Sequence, residues 1–347
     1  MKVWRALLAG IVAGLAVASP ASAHPQDAPG ASDYRTTVTG ISPALPGLTI
    51  RTADAGASLE LRYDGPATVE VLGYSGEPYL SVGPGGVRQN TRSPASYLNE
   101  TLRGGTEGGD AGAAPEWKLL SSTPVVRWHD HRAHWMGPQP PITVREPDRP
   151  HRLREWSIPL REGVREFRVT GTLDWAPRPG TWGWWGGVVL LGLGVAVLGG
   201  WRVGSPGASA GSRPDPWAAL VRRGWFVAPL LGVLAGGLSL FDSVGRVLDA
   251  GTFQREDLWG FAAGGAMLAA AGYALLRRPA ADFALGLGGA ALALLCGFSR
   301  AAVFQHAIAP VPWNGLYARI CVAACLGVGL GLAAAAAHRL RRAAPAD

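Results

Sequence analysis

The sequence predicts an extracytoplasmic β-sandwich domain followed by an all-α membrane bundle of about five transmembrane helices. Three features support this prediction: an N-terminal export signal, a middle region of short alternating runs, and a C-terminal region of long apolar runs. The 347 residues are 48% hydrophobic, with 49 glycines and a mean hydropathy of +0.14. This apolar content exceeds that of an ordinary soluble domain, so part of it is expected to face lipid.

The N-terminus has the three parts of a secretory signal peptide. Two basic residues precede an apolar core over residues 6–18, and an A-x-A cleavage pattern ends at Ala23. The alternative is an uncleaved anchor, but this core is shorter than the roughly 20 residues that span a membrane. We therefore expect His24 to be the first residue of the mature chain. The predicted regions are a signal peptide at 1–23, a β-rich domain at 24–178 and a transmembrane domain at 179–347.

The region after the signal peptide has the texture of a β-domain. Short alternating apolar and polar runs are separated by Gly, Pro, Asn and Asp, as in strands joined by turns. Many short strands in a segment of this length favour an immunoglobulin-like or Greek-key sandwich. The domain has no cysteine, so its stability is expected to come from its core. The predicted strands are 35–41, 48–52, 58–63, 68–73, 79–82, 116–120, 125–131, 156–160 and 167–175.

Five apolar stretches follow, and each approaches the length that crosses a bilayer as a helix. Arginines lie between the first and second stretches, between the third and fourth, and after the fifth. The positive-inside rule makes these three places cytoplasmic. The chain is therefore expected to be a multi-pass plasma-membrane protein in the lipid bilayer, with its β-domain outside and its C-terminus cytoplasmic. The predicted spans are 182–201, 224–244, 258–276, 280–298 and 316–337.

Composition and motifs exclude several functional classes. The net charge of +7 comes almost wholly from arginine, because Lys2 and Lys118 are the only lysines. The arginines are scattered rather than gathered on one face, so no nucleic-acid partner is expected. The sequence contains no G-x-S-x-G, no H-E-x-x-H, no phosphate-binding loop and no exported cysteine nucleophile. We therefore expect no enzymatic activity.

The densest group of chemically active residues lies between Arg127 and Met136. If residues 125–131 form a strand, His129 and His131 project from the same face. A turn would bring His134 back to complete a set of three nitrogen ligands. The thioether of Met136 is a soft ligand that favours copper over zinc. The alternative interpretation is structural, with the histidines hydrogen-bonded to neighbours and the tryptophans in the core.

The mature N-terminus offers a further ligand. As a first residue, His24 would present its amine and its ring nitrogen to one metal ion. Pro25 has no amide N–H, so a site that needs a deprotonated amide at the second residue is excluded. We predict His24 as an additional ligand of the copper site.

The membrane region contains weaker candidates. Cys321 and Cys325 are four residues apart and share a helix face, and Cys296 is expected at a depth similar to that of Cys321. Thiolates facing one another could pass Cu(I), although cysteine in such helices is more often a small apolar residue. Asp242 in the second span is expected to face either the bundle interior or the outer interface, and its place near the predicted outer end favours the interface. His306 is expected in an exposed outer loop.

Three stretches carry a resemblance to a known family. They are residues 73–80 (GYSGEPYL), 92–99 (RSPASYLN) and 127–137 (RWHDHRAHWMG). On these motifs the chain resembles an uncharacterised family of actinobacterial exported multi-pass membrane proteins, which implies location and architecture rather than a mechanism. In layout alone it is also similar to fusions of a copper-binding CopC-like β-sandwich with a CopD-like copper-import domain.

Two functional classes follow from the sequence. The first is a metal-binding protein that handles or delivers copper, whose partners would be copper ions or a copper-handling protein. The second is a cell-envelope interaction or structural module with a membrane anchor and no metal. Copper titration discriminates between them, because only the first class requires the histidine cluster to bind an ion.

Overall fold

The computed structural model describes residues 30–102, 104–137, 140–141, 144–200, 226–251 and 253–343. These residues form a β-domain of two antiparallel sheets followed by five long apolar helices, which confirms the predicted fold class. The predicted signal peptide, His24 and the arginines of the linker 202–223 lie outside the described residues.

Ten strands build a sandwich-like β-domain. The larger sheet has seven strands in the order β1-β10-β9-β4-β5-β6-β7, and the smaller sheet has three in the order β2-β3-β8. All pairings are antiparallel. The strands are β1 Tyr34–Ser42, β2 Leu48–Ala53, β3 Ser58–Tyr63, β4 Val69–Leu72, β5 Pro78–Gly83, β6 Gly86–Asn90, β7 Trp117–Ser121, β8 Val125–Trp128, β9 His151–Glu162 and β10 Arg165–Trp175.

Strand β6 and the short helix α1 (Ala95–Leu98) are absent from the sequence-based prediction. The start of β6 reads as loop, because Gly85 and Gly86 follow Pro84. Gly86 has a φ of +89°, and a Cβ there would overlap the Ser121 carbonyl of β7. The strand is therefore recognisable only from its pairing with β5 and β7.

One continuous hydrophobic core joins the two sheets. Leu61 of the smaller sheet is fully buried, as are Ile158 and Leu160 of the larger one. The alternation expected of a half-buried strand is clear in β9, where alternate residues from Trp156 onwards are buried. Full burial of one such aliphatic side chain stabilises the fold by about 1.5–3 kcal/mol. This core replaces the disulfides that the domain lacks.

Within the described residues, five helices are long and apolar enough to cross a membrane, which implies a lipid bilayer around them. The fourth continues from α5 through a π-helical turn (Ala293–Gly297) and a 3₁₀ segment (Phe298–Phe304). The second span, predicted at 224–244, ends later than predicted, because the helix runs to Ala250 and is capped by Gly251 at a φ of +67°. The helices are α2 Thr181–Gly200, α3 Val227–Ala250, α4 Arg255–Leu275, α5 Ala281–Leu292 and α6 Gly315–Ala343.

Small residues allow close approach of the helices. A Cβ at Gly289 of α5 would lie 2.6 Å from the Gly329 carbonyl oxygen of α6, and the reverse contact is equally short. A Cβ at Gly192 of α2 would likewise lie 3.3 Å from the Gly327 carbonyl oxygen of α6. Backbones this close are typical of membrane helices that pack through glycine.

The β-domain is joined to one end of the bundle, called here the β-domain end. The backbones of Ser32 and Ile308 exchange two hydrogen bonds, of 2.9 and 2.7 Å. On α3, the Asp249 carboxylate accepts the Ala55 N–H of the β-domain at 3.1 Å. The β-domain is therefore held against both α3 and the segment before α6.

Candidate metal site in the histidine-rich segment

The histidine-rich segment, residues 127–136, leaves the sheet earlier than predicted. Strand β8 ends at Trp128, so His129 and His131 do not lie side by side on one strand face, and the prediction of a strand over 125–131 was wrong at its end. The physical reason is Asp130, whose carboxylate accepts the backbone N–H of Arg132 at 3.1 Å. An aspartate that bonds to the backbone two residues on favours a turn over a strand.

Asp130 organises this turn from a fully buried position. It accepts the indole N–H of Trp128 at 3.1 Å and two guanidinium bonds from Arg132, both at 2.8 Å. The Arg132 guanidinium also lies 4.8 Å from the centre of the Tyr74 ring, in cation–π geometry. With its oxygens occupied in this way, Asp130 supports the segment rather than facing an ion.

The turn brings the three imidazoles together. The His131 and His134 ring centroids are 5.1 Å apart with an interplanar angle of 89°. The His129 and His134 centroids are 6.2 Å apart at 75°. His134 is thus the central ring of the cluster, and His131 is its nearer partner. The expectation that a turn returns His134 to the other histidines is met.

Each ring has one nitrogen near a backbone carbonyl oxygen. The distances are 2.9 Å from His129 Nδ1 to Ala57, 3.2 Å from His131 Nε2 to Thr101, and 2.9 Å from His134 Nε2 to Leu102. A carbonyl only accepts, so these nitrogens carry a proton, and in a neutral ring the opposite nitrogen then has a lone pair. Histidines that bind metals commonly have this arrangement.

His134 carries the cluster's most unusual atom. Its side chain is 4% exposed, and its Nδ1 is buried without a hydrogen-bond partner. Burial lowers the pKa of His134 to about 4, and it also lowers the pKa of half-buried His131. Both rings are therefore neutral at physiological pH, the form in which imidazole binds metal.

Met136 borders the same space as His131. A Cβ on Gly104 would lie 3.6 Å from His131 Cε1 and 3.7 Å from Met136 Cε. Gly104 has a φ of +102°, so a side chain is disfavoured there in any case. The glycine leaves room between the ring and the thioether, and Met136 is partly exposed.

Across the part of the chain that the structure describes, no group of three or more His, Cys, Asp or Glu side chains is arranged to hold a metal ion. The predicted three-imidazole site is therefore not assembled as a complete ligand set. The other histidine of the β-domain among the described residues, His151, contacts the Glu146 carbonyl oxygen through its Nε2 at 2.6 Å. The roles of His129, His131, His134 and Met136 as ligands stay predictions.

Several residues that shape the cluster carry no sequence signal. Arg154 of β9 donates to the carbonyl oxygens of His131 and His134, at 2.8 and 2.5 Å. The carbonyls of Thr101 and Leu102 come from a loop about 30 residues earlier in the chain. No spacing pattern links these residues to the histidines, because the contacts arise only when the sheets pack.

The membrane candidates are placed differently from the prediction. Of the two places predicted for Asp242, the bundle interior is the observed one: the residue is 1% exposed and contacts Arg246 and Arg300, each at 2.8 Å, so the favoured interface position was wrong. Arginine partners inside the bundle make the interior the favourable place for this carboxylate. The three cysteines, Cys296, Cys321 and Cys325, are all buried with free thiols.

His306, predicted in an exposed loop, instead contacts the β-domain. Its Nδ1 lies 3.0 Å from Asp33 Oδ2, and the Ala307 N–H donates to Asp33 Oδ1 at 3.0 Å. The residue is about one-third exposed. It belongs to the joint between the β-domain and the bundle rather than to the histidine cluster.

The chain was compared with protein-family models, with curated proteins and with solved structures. The resemblance to a family of actinobacterial exported proteins stays a prediction. No protein-family model, no curated protein and no solved structure matches this chain.

Proposed function

We propose that the protein is a membrane-anchored, extracytoplasmic copper-binding protein that handles or delivers copper through its histidine cluster. His131 and His134 are the central ligands of this proposal, with Met136 beside them and His129 and His24 as additions. The export signal and the arginine-rich linkers support an extracytoplasmic β-domain.

One observation carries the proposal: the perpendicular His131 and His134 rings at 5.1 Å, together with the buried, unpartnered Nδ1 of His134. Consider a metal ion about 2.0 Å from one nitrogen of each ring, with a tetrahedral angle between the two bonds. The two ring centroids would then be about 5 Å apart. A buried polar atom without a partner costs about 1–3 kcal/mol, and coordination would remove that cost.

The nature of the ligands favours copper. Imidazole suits copper and zinc alike, but a thioether is a soft ligand that selects copper, and copper(II) heads the divalent affinity order. The two guanidinium bonds from Arg154 hold the histidine-rich segment in place without offering an ion a negative charge. Two neutral imidazoles and a thioether would also suit copper(I), so a delivery role is compatible with either oxidation state.

His24 is an additional ligand in this proposal. Among the described residues nearest to it in the chain, the Tyr34 ring lies 6.2 Å from the ring of Trp135, which follows His134 in the sequence. With His24 the site would gain an amine and one further imidazole.

The decisive experiment is copper titration of the full-length protein in detergent micelles. We expect one copper(II) per chain, with nitrogen hyperfine structure in the electron paramagnetic resonance spectrum. Copper should raise the free energy of unfolding by about 2.7 kcal/mol when free copper is 100-fold above the Kd.

The variants separate the cluster from the other histidines. His131→Ala with His134→Ala should abolish the signal, whereas His151→Ala, a matched control outside the cluster, should bind as the wild type does. If the wild type shows neither signal nor thermal shift, the copper proposal fails. The envelope interaction module then becomes the better account.

A further inference from the structure

A buried cluster of charged residues lies inside the helix bundle, near its β-domain end. Asp242 and Arg246 are one turn apart on α3, and Arg300 belongs to the 3₁₀ segment that follows α5. Arg246 Nε and Arg300 Nη1 both donate to Asp242 Oδ2, each at 2.8 Å. Arg300 also donates to the Ser243 hydroxyl at 3.0 Å. The side chains of Arg246, Arg300 and Asp242 are 13%, 8% and 2% exposed, respectively.

The cluster has an excess of positive charge, because two guanidinium groups share one carboxylate. Asp257, on the adjacent helix α4, is a buried carboxylate that accepts the Gln254 N–H at 2.8 Å and forms no ion pair with either arginine. Among the described residues, the ion pairs of Arg246 and Arg300 are made with Asp242 alone. An uncompensated charge is strongly disfavoured inside a membrane protein, so a counter-ion is expected here.

Two polar atoms of the cluster are buried without partners. They are Nη2 of Arg246, a donor, and Oδ1 of Asp242, an acceptor. Asp242, whose side chain is more than nine-tenths buried, thus uses only one of its two oxygens for the arginines. The buried Nη2 of Arg246 requires an acceptor, and an anion bound on the side of the guanidinium away from Asp242 would accept its N–H and offset the excess charge.

The surroundings limit the size and charge of the ligand. A Cβ at Gly260 of α4 would overlap the Arg300 guanidinium, so the helices are in tight contact around the cluster. The neighbouring Ser239 hydroxyl lies within hydrogen-bond distance of the Gly260 carbonyl oxygen, at 3.2 Å, and of Cys296 Sγ, at 3.0 Å. Such tight contact favours a small ion over a large one, and two guanidinium groups repel a cation such as copper.

From this arrangement we infer that the bundle binds a small monovalent anion, of the halide class, at Arg246 and Arg300. The anion is held on the guanidinium N–H groups that Asp242 leaves free. This site is separate from the histidine cluster. It ties α3 to the 3₁₀ segment at the end of the bundle that contacts the β-domain.

The test is ion-specific stabilisation of the full-length protein in detergent micelles. Melting temperature is measured in sodium chloride, bromide and gluconate at equal ionic strength. Chloride and bromide should raise it in a saturable way and gluconate should not. Arg246→Gln should weaken the apparent chloride affinity by at least about tenfold, a loss equivalent to 1.4 kcal/mol. Arg278→Gln, an exposed arginine at the opposite end of the bundle, should leave the affinity unchanged.

Equal melting temperatures in the three salts would overturn the inference, as would an Arg246→Gln variant that responds to chloride like the wild type. If Arg246→Gln does not fold, anomalous diffraction from wild-type crystals grown in bromide replaces it. A bromide peak at Arg246 Nη2 supports the site, and a map without such a peak rejects it.

Discussion

The imidazole of His134 lies perpendicular to that of His131, with 5.1 Å between the ring centroids, and its Nδ1 is buried without a partner. Because burial lowers the pKa of His134 to about 4, this ring stays neutral through the mildly acidic range in the folded protein. The burial of His134 beside His131 therefore bears both on the proposed metal binding and on how the free energy of unfolding changes with pH.

His134 should make the fold sensitive to mild acid. In the unfolded chain its pKa is close to 6.5, so as pH falls from 6.5 to about 4 the unfolded state takes up a proton that the folded state does not. The contribution to stability is complete above pH 6.5 and is lost progressively towards pH 4, by up to about 3 kcal/mol. His134→Gln should flatten this loss, measured by urea unfolding at pH 7.0 and 4.5 with tryptophan fluorescence. An unchanged slope in the variant would contradict the assignment, and His151→Gln serves as the control.

Asp130 should be essential for the histidine-rich segment. Asp130→Asn removes the charge that pairs with Arg132 and leaves a guanidinium uncompensated in a largely buried site. Breaking a buried pair in this way typically costs about 3–5 kcal/mol. We expect a loss near the lower end of that range, since Arg132 is partly exposed, measured by urea unfolding. Arg92→Gln breaks an exposed pair with Glu116 and should change stability by less than about 1 kcal/mol. Similar losses in the two variants would disprove the role of Asp130.

Asp33 should hold the β-domain against the bundle. Burial by itself would raise the pKa of Asp33, but hydrogen bonds from His306 and Arg178 outweigh it and lower the pKa below its ordinary value. The stability that ionised Asp33 contributes is therefore fully present above pH 3.8, and it is lost as pH falls through the lowered pKa. Asp33→Ala should increase hydrogen exchange at the Ile308 and Ala307 amides without unfolding either part. Arg62→Ala, which breaks an exposed pair within the β-domain, should leave those amides protected. Unchanged protection in Asp33→Ala would show that the Ser32–Ile308 backbone bonds suffice.

The orientation of the chain is open to a direct test. The arginine-rich linkers and the signal pattern predict that the β-domain is outside and the C-terminus is cytoplasmic. A reporter that is active only in the cytoplasm should be active when fused after Arg342 and inactive when fused after Trp175. The reverse pattern would overturn both the orientation and the extracytoplasmic role of the histidine cluster.

Local patterns were sufficient to predict most of the elements. The strand at 58–63 was predicted at its observed bounds, because alternation of apolar and polar residues is a property of the chain itself. The first membrane helix, predicted at 182–201, runs over Thr181–Gly200, because apolar length is equally local. Strand β6 was missed where glycines obscure alternation, and the end of β8 was misplaced because a buried aspartate turns the chain.

The sequence by itself determined that a β-domain precedes five apolar helices and that three histidines lie within six positions. Only the tertiary structure decided which groups meet: His134 with a carbonyl 32 residues away, and Asp242 with an arginine 58 residues away. The physical reason is the range of the interactions. Periodicity and apolar length act between near neighbours, whereas the partner of a buried polar atom depends on how sheets and helices pack over the whole chain.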